Sequence, residues 1–264
     1  ASFHVADAQS NVNSAAKAVE SALAASQNEK KATKVATWMK LAQTYIDAYS
    51  APAGNVWLGA DMNSLQLSMG SEKPSSVETV TIGGVQYTKQ VYENKNLYFN
   101  ANGQLAVIEV TKPVVEDALS KALEAYKKAY ELDEKHSKDK DISAGIKTIS
   151  EKFNQEAYNS YTLGDVKQAE AYFEAAVEAA AQKPYGQIDT SSLYNAAFTS
   201  WSIENFAKAK TLFDKCLSYG YYGDNGEVFA KLSDCVSRID TTAAGKASAK
   251  DYLEQGFQKF PTSE

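Results

Sequence analysis

The sequence predicts a mainly α fold, assembled from stacked antiparallel helix pairs, with a small antiparallel β-meander inserted into it. Three observations carry this prediction. Apolar residues recur three to four apart over 5–50 and again over 114–260, which is the period of an amphipathic helix. Over 51–113 the period shifts to two. The helical part also repeats itself: a small residue, a large apolar one four later and a small one three after that begin at 122, 169, 209 and 249.

The elements follow in order. Asn11–Ser26, with Ala15, Val19 and Ala22 on one face, reads as a half-repeat or cap, and a second helix runs through Trp38, Leu41 and Tyr45. Asp61 to Met69 forms one short helix, stopped by Gly70. Val77–Ile82 and Val85–Tyr92 alternate around Gly83-Gly84, the two-residue turn of a hairpin. A turn at Glu93-Asn94-Lys95-Asn96 leads to Leu97-Tyr98-Phe99, and Asn102-Gly103 leads to Leu105–Val110, completing four strands. Helical periodicity then resumes, with breaks at Ser137–Lys140, Lys183–Thr190, Gly220–Gly226 and Thr241–Gly245. The last helix stops at Pro261.

The four repeated stretches are Ala122/Tyr126/Ala129, Ala169/Phe173/Ala176, Ala209/Phe213/Cys216 and Ala249/Leu253/Gly256. Small residues along one face let a neighbouring helix approach, and the large residue fills the space beside it. Each of the last three is preceded by a partner helix, marked by Phe153, Ala157 and Tyr161, by Leu193, Ala196 and Trp201, and by Phe229, Leu232 and Val236.

Composition excludes several classes. The 264 residues carry 27 Lys+Arg against 33 Asp+Glu, a net charge of −6, which disfavours a nucleic-acid partner. Arg238 is the only arginine, so bidentate capture of phosphates or carboxylates is not expected. No apolar run approaches the roughly 20 residues of a membrane helix. There are 16 Tyr and 10 Phe, and their placement on the fold decides whether they are core or surface.

Trp38-Met-Lys-Leu41-Ala42-Gln-Thr-Tyr45 resembles the first-helix signature of the tetratricopeptide repeat (TPR), with Ala in place of its Gly. Gly164-Asp165 followed by Ala169, Phe173 and Ala176 resembles the second half of that repeat. The resemblance covers 30–50 and 114–261 and implies a right-handed superhelix of helix pairs forming a single domain over 1–264. The spacing departs from the family's period of about 34 residues. The repeats here are 40 to 47 apart, and the family spacing from Trp38 calls for an alanine near 54 that appears only at Ala122. Residues 51–113 are therefore read as an insertion between the two helices of the first repeat, at a loop where extra chain costs little closure entropy. The segment Asn96–Gly103 is similar to inserts in secreted TPR proteins of gut-dwelling anaerobic bacteria. That likeness implies an exported, periplasmic or outer-envelope protein, with a cytoplasmic one as the alternative. The start at Ala1, without Met, fits a matured or trimmed chain, and terminal repeats usually need a polar cap, so a further C-terminal region is expected.

Catalytic chemistry is not expected. His4 and His136 are the only histidines, and no metal-ligand spacing, nucleophile motif or phosphate-cradling loop accompanies them. No cofactor or metal is expected. Cys216 and Cys235 read as two buried thiols acting as small apolar residues, with a disulfide between successive helices as the alternative.

In the TPR family, positions one, five, eight and nine after the Trp position face the concave groove. Carried over, they are Met39, Gln43, Ile46 and Asp47; Asn154, Tyr158, Tyr161 and Thr162; Tyr194, Phe198, Trp201 and Ser202; and Ala230, Asp234, Ser237 and Arg238. The ligand-binding candidates are Asn154, Tyr158, Tyr161, Tyr194, Phe198 and Trp201, an aromatic patch across two adjacent repeats. The alternative is that these rings pack on each other. The Lys and Asn pattern by which some TPR co-chaperones hold a C-terminal carboxylate is missing from the groove positions. The resemblance thus implies a non-catalytic scaffold binding a protein or peptide. A carbohydrate-binding component of an envelope glycan-uptake system is the second reading, and self-association the third.

Overall fold

The computed structural model of the chain describes residues 3–262, with side chains from residue 11 onward, so that Ala1 and the side chain of His4 lie outside the described residues. Helices dominate: α1 (Phe3–Gln27), α2 (Val35–Ser50), α3 (Met62–Met69), α4 (Ala118–Leu132), α5 (Asp139–Thr162), α6 (Val166–Ala181), α7 (Thr190–Ser202), α8 (Phe206–Ser218), α9 (Glu227–Ile239) and α10 (Ala243–Lys259). Between α3 and α4 lie β1 (Ser76–Ile82), β2 (Val85–Val91), β3 (Lys95–Phe99) and β4 (Leu105–Val110). They form one antiparallel sheet in the order β1-β2-β3-β4. The chain divides into two compact units, one of 1–149 with 162–164 and 182–186, the other of 150–161, 165–181 and 187–264.

In the first unit, α2 packs against both α1 and α4. The Trp38 indole N–H donates to the Ala32 carbonyl at 2.8 Å, tying the start of α2 to the loop before it. Residues 51–117 intervene between α2 and α4 in sequence. Asp61 caps α3 by accepting from the Ser64 N–H at 2.9 Å, and Gly70 ends the helix at a φ of 61°. Gly83 and Gly84 both have positive φ, the requirement of the type I′ turn that joins β1 to β2. One side of the sheet meets α3 through Leu65, Leu97, Phe99 and Leu105.

The sheet differs from expectation at one turn. Lys95 and Asn96, read as turn residues, open β3 opposite Val110 and Glu109, and the connection shortens to 92–94. The physical reason is Lys95 itself. Its side chain is 2% exposed, and its ammonium donates to Glu72 Oε1 at 2.9 Å, with the Pro52 carbonyl at 3.4 Å. It lies 5.3 Å from the centre of the Tyr92 ring. A buried ammonium needs such partners. Burial, reinforced by Glu72, raises the Tyr92 phenol to about 12.

In the second unit, each helix from α6 onward packs on the next, and the later half of α5 packs on α6, where the Ser150 hydroxyl donates to the Ala176 carbonyl at 2.9 Å. Two of the connecting turns are structural copies. Gly164, which the division counts with the first unit, and Glu204 both sit in the left-handed region, at φ 86° and 61°. After each, the next N–H reaches back five residues, Asp165 to Ser160 O and Asn205 to Ser200 O, both at 2.9 Å. The third turn spans 240–242, shorter than the break expected at Thr241–Gly245, because Gly245 belongs to α10. It is buried, and a Cβ there would stand 1.9 Å from the Asp240 carbonyl oxygen. Cys216 and Cys235 are buried free thiols, raised by burial to about 12 and about 11.

The repeated small–large–small positions test the stacking directly. Ala122, Tyr126 and Ala129, then Ala169, Phe173 and Ala176, then Ala209, Phe213 and Cys216 are all buried. In the last copy Ala249 and Gly256 are buried but Leu253 is 50% exposed.

Candidate functional site

All six candidate residues lie in the second unit, on the later half of α5 and on α7. Helical spacing puts Asn154, Tyr158 and Tyr161 on one face of α5, and Tyr194, Phe198 and Trp201 on one face of α7. Opposite faces of the same helices carry Phe153 and Ala157, and Leu193, Ala196, Ala197 and Ser200, all buried.

On α7 the three rings form a continuous row. Tyr194 and Phe198 stack at 6.4 Å between centres, and Phe198 meets Trp201 at 5.8 Å. All three are half-buried against the core that contains Phe213, Leu232 and Cys235. Their polar tips are held by α9. The Tyr194 hydroxyl donates to Glu227 Oε1 at 2.6 Å, and the Trp201 indole N–H donates to Asp234 Oδ2 at 2.7 Å. Burial and the bond to Glu227 push the Tyr194 phenol well above its usual range. The Lys231 ammonium sits 3.4 Å from the centre of the Trp201 ring and 5.3 Å from that of Phe198. Such a cation–π contact is worth about 0.5–2 kcal/mol and fixes the lysine over the indole.

On α5 the geometry is more open. Tyr158 is 52% exposed and Tyr161 43%. Tyr158 stands edge-on to Phe173 at 5.2 Å, and its hydroxyl accepts from Asn195 Nδ2 at 3.0 Å. Asn154 is committed elsewhere, because its Nδ2 donates to the Ser192 hydroxyl at 2.7 Å and bridges α5 to α7. Asp234, carried over from the fourth set, also accepts from Arg238 Nε at 3.4 Å.

Some features were not visible in the register. Lys231, Glu227 and Asn195 all contribute polar atoms to this face. Their roles depend on how α7, α9 and α5 juxtapose, which a one-dimensional repeat does not encode. In the first unit, Ile46, placed by spacing on the groove, is buried, as α1 and α4 both pack on α2. His136 is exposed, with Nδ1 3.3 Å from Asp139 Oδ1. Among the described residues no cluster of His, Cys, Asp and Glu is arranged to hold a metal ion, and no helix is long and apolar enough to cross a membrane.

The face offers partly exposed aromatic rings beside side chains already fixed by hydrogen bonds. Such a surface gives contact area at little entropic cost, because the α7 rings are already ordered. No protein-family model matches the chain, and no curated protein or solved structure matches it.

Proposed function

We propose that the chain is a TPR-like, non-catalytic scaffold that binds an extended peptide segment of a partner protein along the α5–α7 face. The single observation that carries this is the split state of the aromatic row. Tyr194, Phe198 and Trp201 are locked by Glu227, Asp234 and Lys231, while the adjacent Tyr158 and Tyr161 present half their surface to solvent. A rigid floor beside exposed rings suits apolar peptide side chains, with Asn195, Asp234 and Arg238 near the edge to meet main-chain groups. The identical turns 40 residues apart and the packing of α2 on α4 across 51–117 support the repeat reading on which the face depends. The glycan reading is less well supported, since stacking on a sugar needs an open ring face and Lys231 already occupies one face of Trp201.

The test is selection from a random peptide library displayed on phage, followed by titration of the best peptide. Tyr158→Ala/Tyr161→Ala is expected to weaken binding at least about 10-fold while circular dichroism stays unchanged and the urea midpoint falls only slightly, for the lost contacts to Phe173 and Asn195. Failure to enrich any peptide, or equal binding by the double variant, would overturn the assignment.

A further inference from the structure

The repeat pattern holds at every position but one. At the large apolar position, Tyr126, Phe173 and Phe213 are buried, while Leu253 on α10 is 50% exposed. Four residues on, Tyr130, Val177 and Leu217 are half-buried, while Phe257 is 65% exposed. What covers the earlier copies is the helix that follows each in sequence. The Tyr126 ring lies so close to α5 that a Cβ at Gly145 would stand 2.2 Å from it. Phe213 shares a core with Val228 and Leu232 of α9. On α10 the same apolar pair lines a surface groove with Lys250, Glu254 and Gln258, and among the described residues only α10 lines it.

We propose that this face is a self-docking surface, on which two copies of the chain pair their α10 helices antiparallel about a twofold axis. The stripe Ala247, Lys250, Leu253, Glu254 and Phe257 follows helical spacing and is exposed throughout. Its charges are self-complementary. Lys250 and Glu254 pair within the helix at 3.3 Å. A twofold centred near residue 252 sets Lys250 of each copy against Glu254 of the other, and Phe257 against the small Ala247. A parallel pair would instead oppose like charges. The contact continues the helix-on-helix interface that runs through the whole unit, and it is closed, because a twofold patch is consumed by its own copy. One helix face is smaller than the about 800 Å² that each partner gives to a standard interface, so the dimer is a weak one, populated at high protein concentration.

Sedimentation velocity from about 10 μM to about 1 mM tests this on the full chain. The expected result is a reversible rise from monomer to dimer mass. Leu253→Glu/Phe257→Glu stays monomeric with unchanged helix content, both residues being exposed. Lys250→Glu weakens association at least about 10-fold, and Lys250→Glu/Glu254→Lys restores it, since the swap preserves the pairing across the twofold. Tyr158→Ala/Tyr161→Ala dimerises as the wild type does, which separates this surface from the peptide-binding face. A strict monomer at the highest concentration, open-ended assembly, or association indifferent to the charge reversals would each overturn the proposal.

Discussion

In the second unit, Ala169 and Ala209 occupy one register position 40 residues apart, and both are completely buried against neighbouring helices. In the four-stranded sheet of the first unit, the longest side chain buried to a similar degree is Lys95, held by Glu72 and the Pro52 carbonyl. The helices distribute their burial over many equivalent small contacts. The sheet concentrates part of its burial in one charged pair, Lys95 with Glu72, that no repeat position announces. The comparison teaches that a repeated solution can be checked copy against copy, while a unique one has to be seen.

The largest expected effect tests the equivalence of the copies. Phe213→Ala should destabilise the second unit by about 3–5 kcal/mol, since a fully buried ring leaves a cavity behind. Leu253→Ala, at the matching position, should cost less than about 1 kcal/mol in dilute protein, because half of that side chain is already in water. Urea unfolding followed by the Trp201 fluorescence, with Trp38 and Trp57 replaced by Phe, reports on the second unit. Equal losses for the two variants would break the equivalence between α8 and α10.

The next effect probes the sheet. Lys95→Met keeps the apolar stem but strands the Glu72 carboxylate and removes the donor to Pro52. A loss of about 2–4 kcal/mol is expected, at the lower end because Glu72 remains partly accessible. Lys95→Met/Glu72→Leu should return to within about 1 kcal/mol of the wild type, as apolar replacements of buried pairs often do. The readout is thermal unfolding monitored by Trp57, on the segment before α3. Additive losses in the double variant would show that the pair acts through something other than its charge.

The same contrast explains what the sequence revealed. The short helix α3 and the hairpin follow from Gly70 and Gly83-Gly84, because these features act locally, whereas two helix ends do not: the breaks expected at Ser137–Lys140 and Thr241–Gly245 lie at 133–138 and 240–242. The buried repeat alanines followed from their recurrence. Lys95 reads as a turn residue because a charged residue beside Asn94 and Asn96 carries a turn signal, and Glu72, which reverses that signal, lies 23 residues away. On the aromatic face, the choice of rings rests on the groove positions that the TPR resemblance implies. What fixes them does not: Lys231, Glu227 and Asn195 reach across from helices whose rotation no spacing specifies. The exposed Leu253 was unreadable for the opposite reason, since its pattern is that of a buried residue.

The smallest effect asks whether one copy can instruct another. Glu204 holds a left-handed conformation at φ 61°, where Gly164 stands in the preceding turn at φ 86°. The backbone bonds after the two are the same, Asn205 to Ser200 and Asp165 to Ser160. A side chain with a Cβ pays about 1–2 kcal/mol for that conformation, and glycine loses some of the difference through its greater freedom when unfolded. Glu204 is exposed, so no packing is lost on its removal. Glu204→Gly is therefore expected to stabilise the second unit by about 0.5–1 kcal/mol, measured as a rise in the urea midpoint with an unchanged slope. Glu204→Ala, which keeps the Cβ, should leave the midpoint nearly where it is. A gain from alanine equal to that from glycine would mean that the charge at 204, and not the backbone the two turns share, carries the cost.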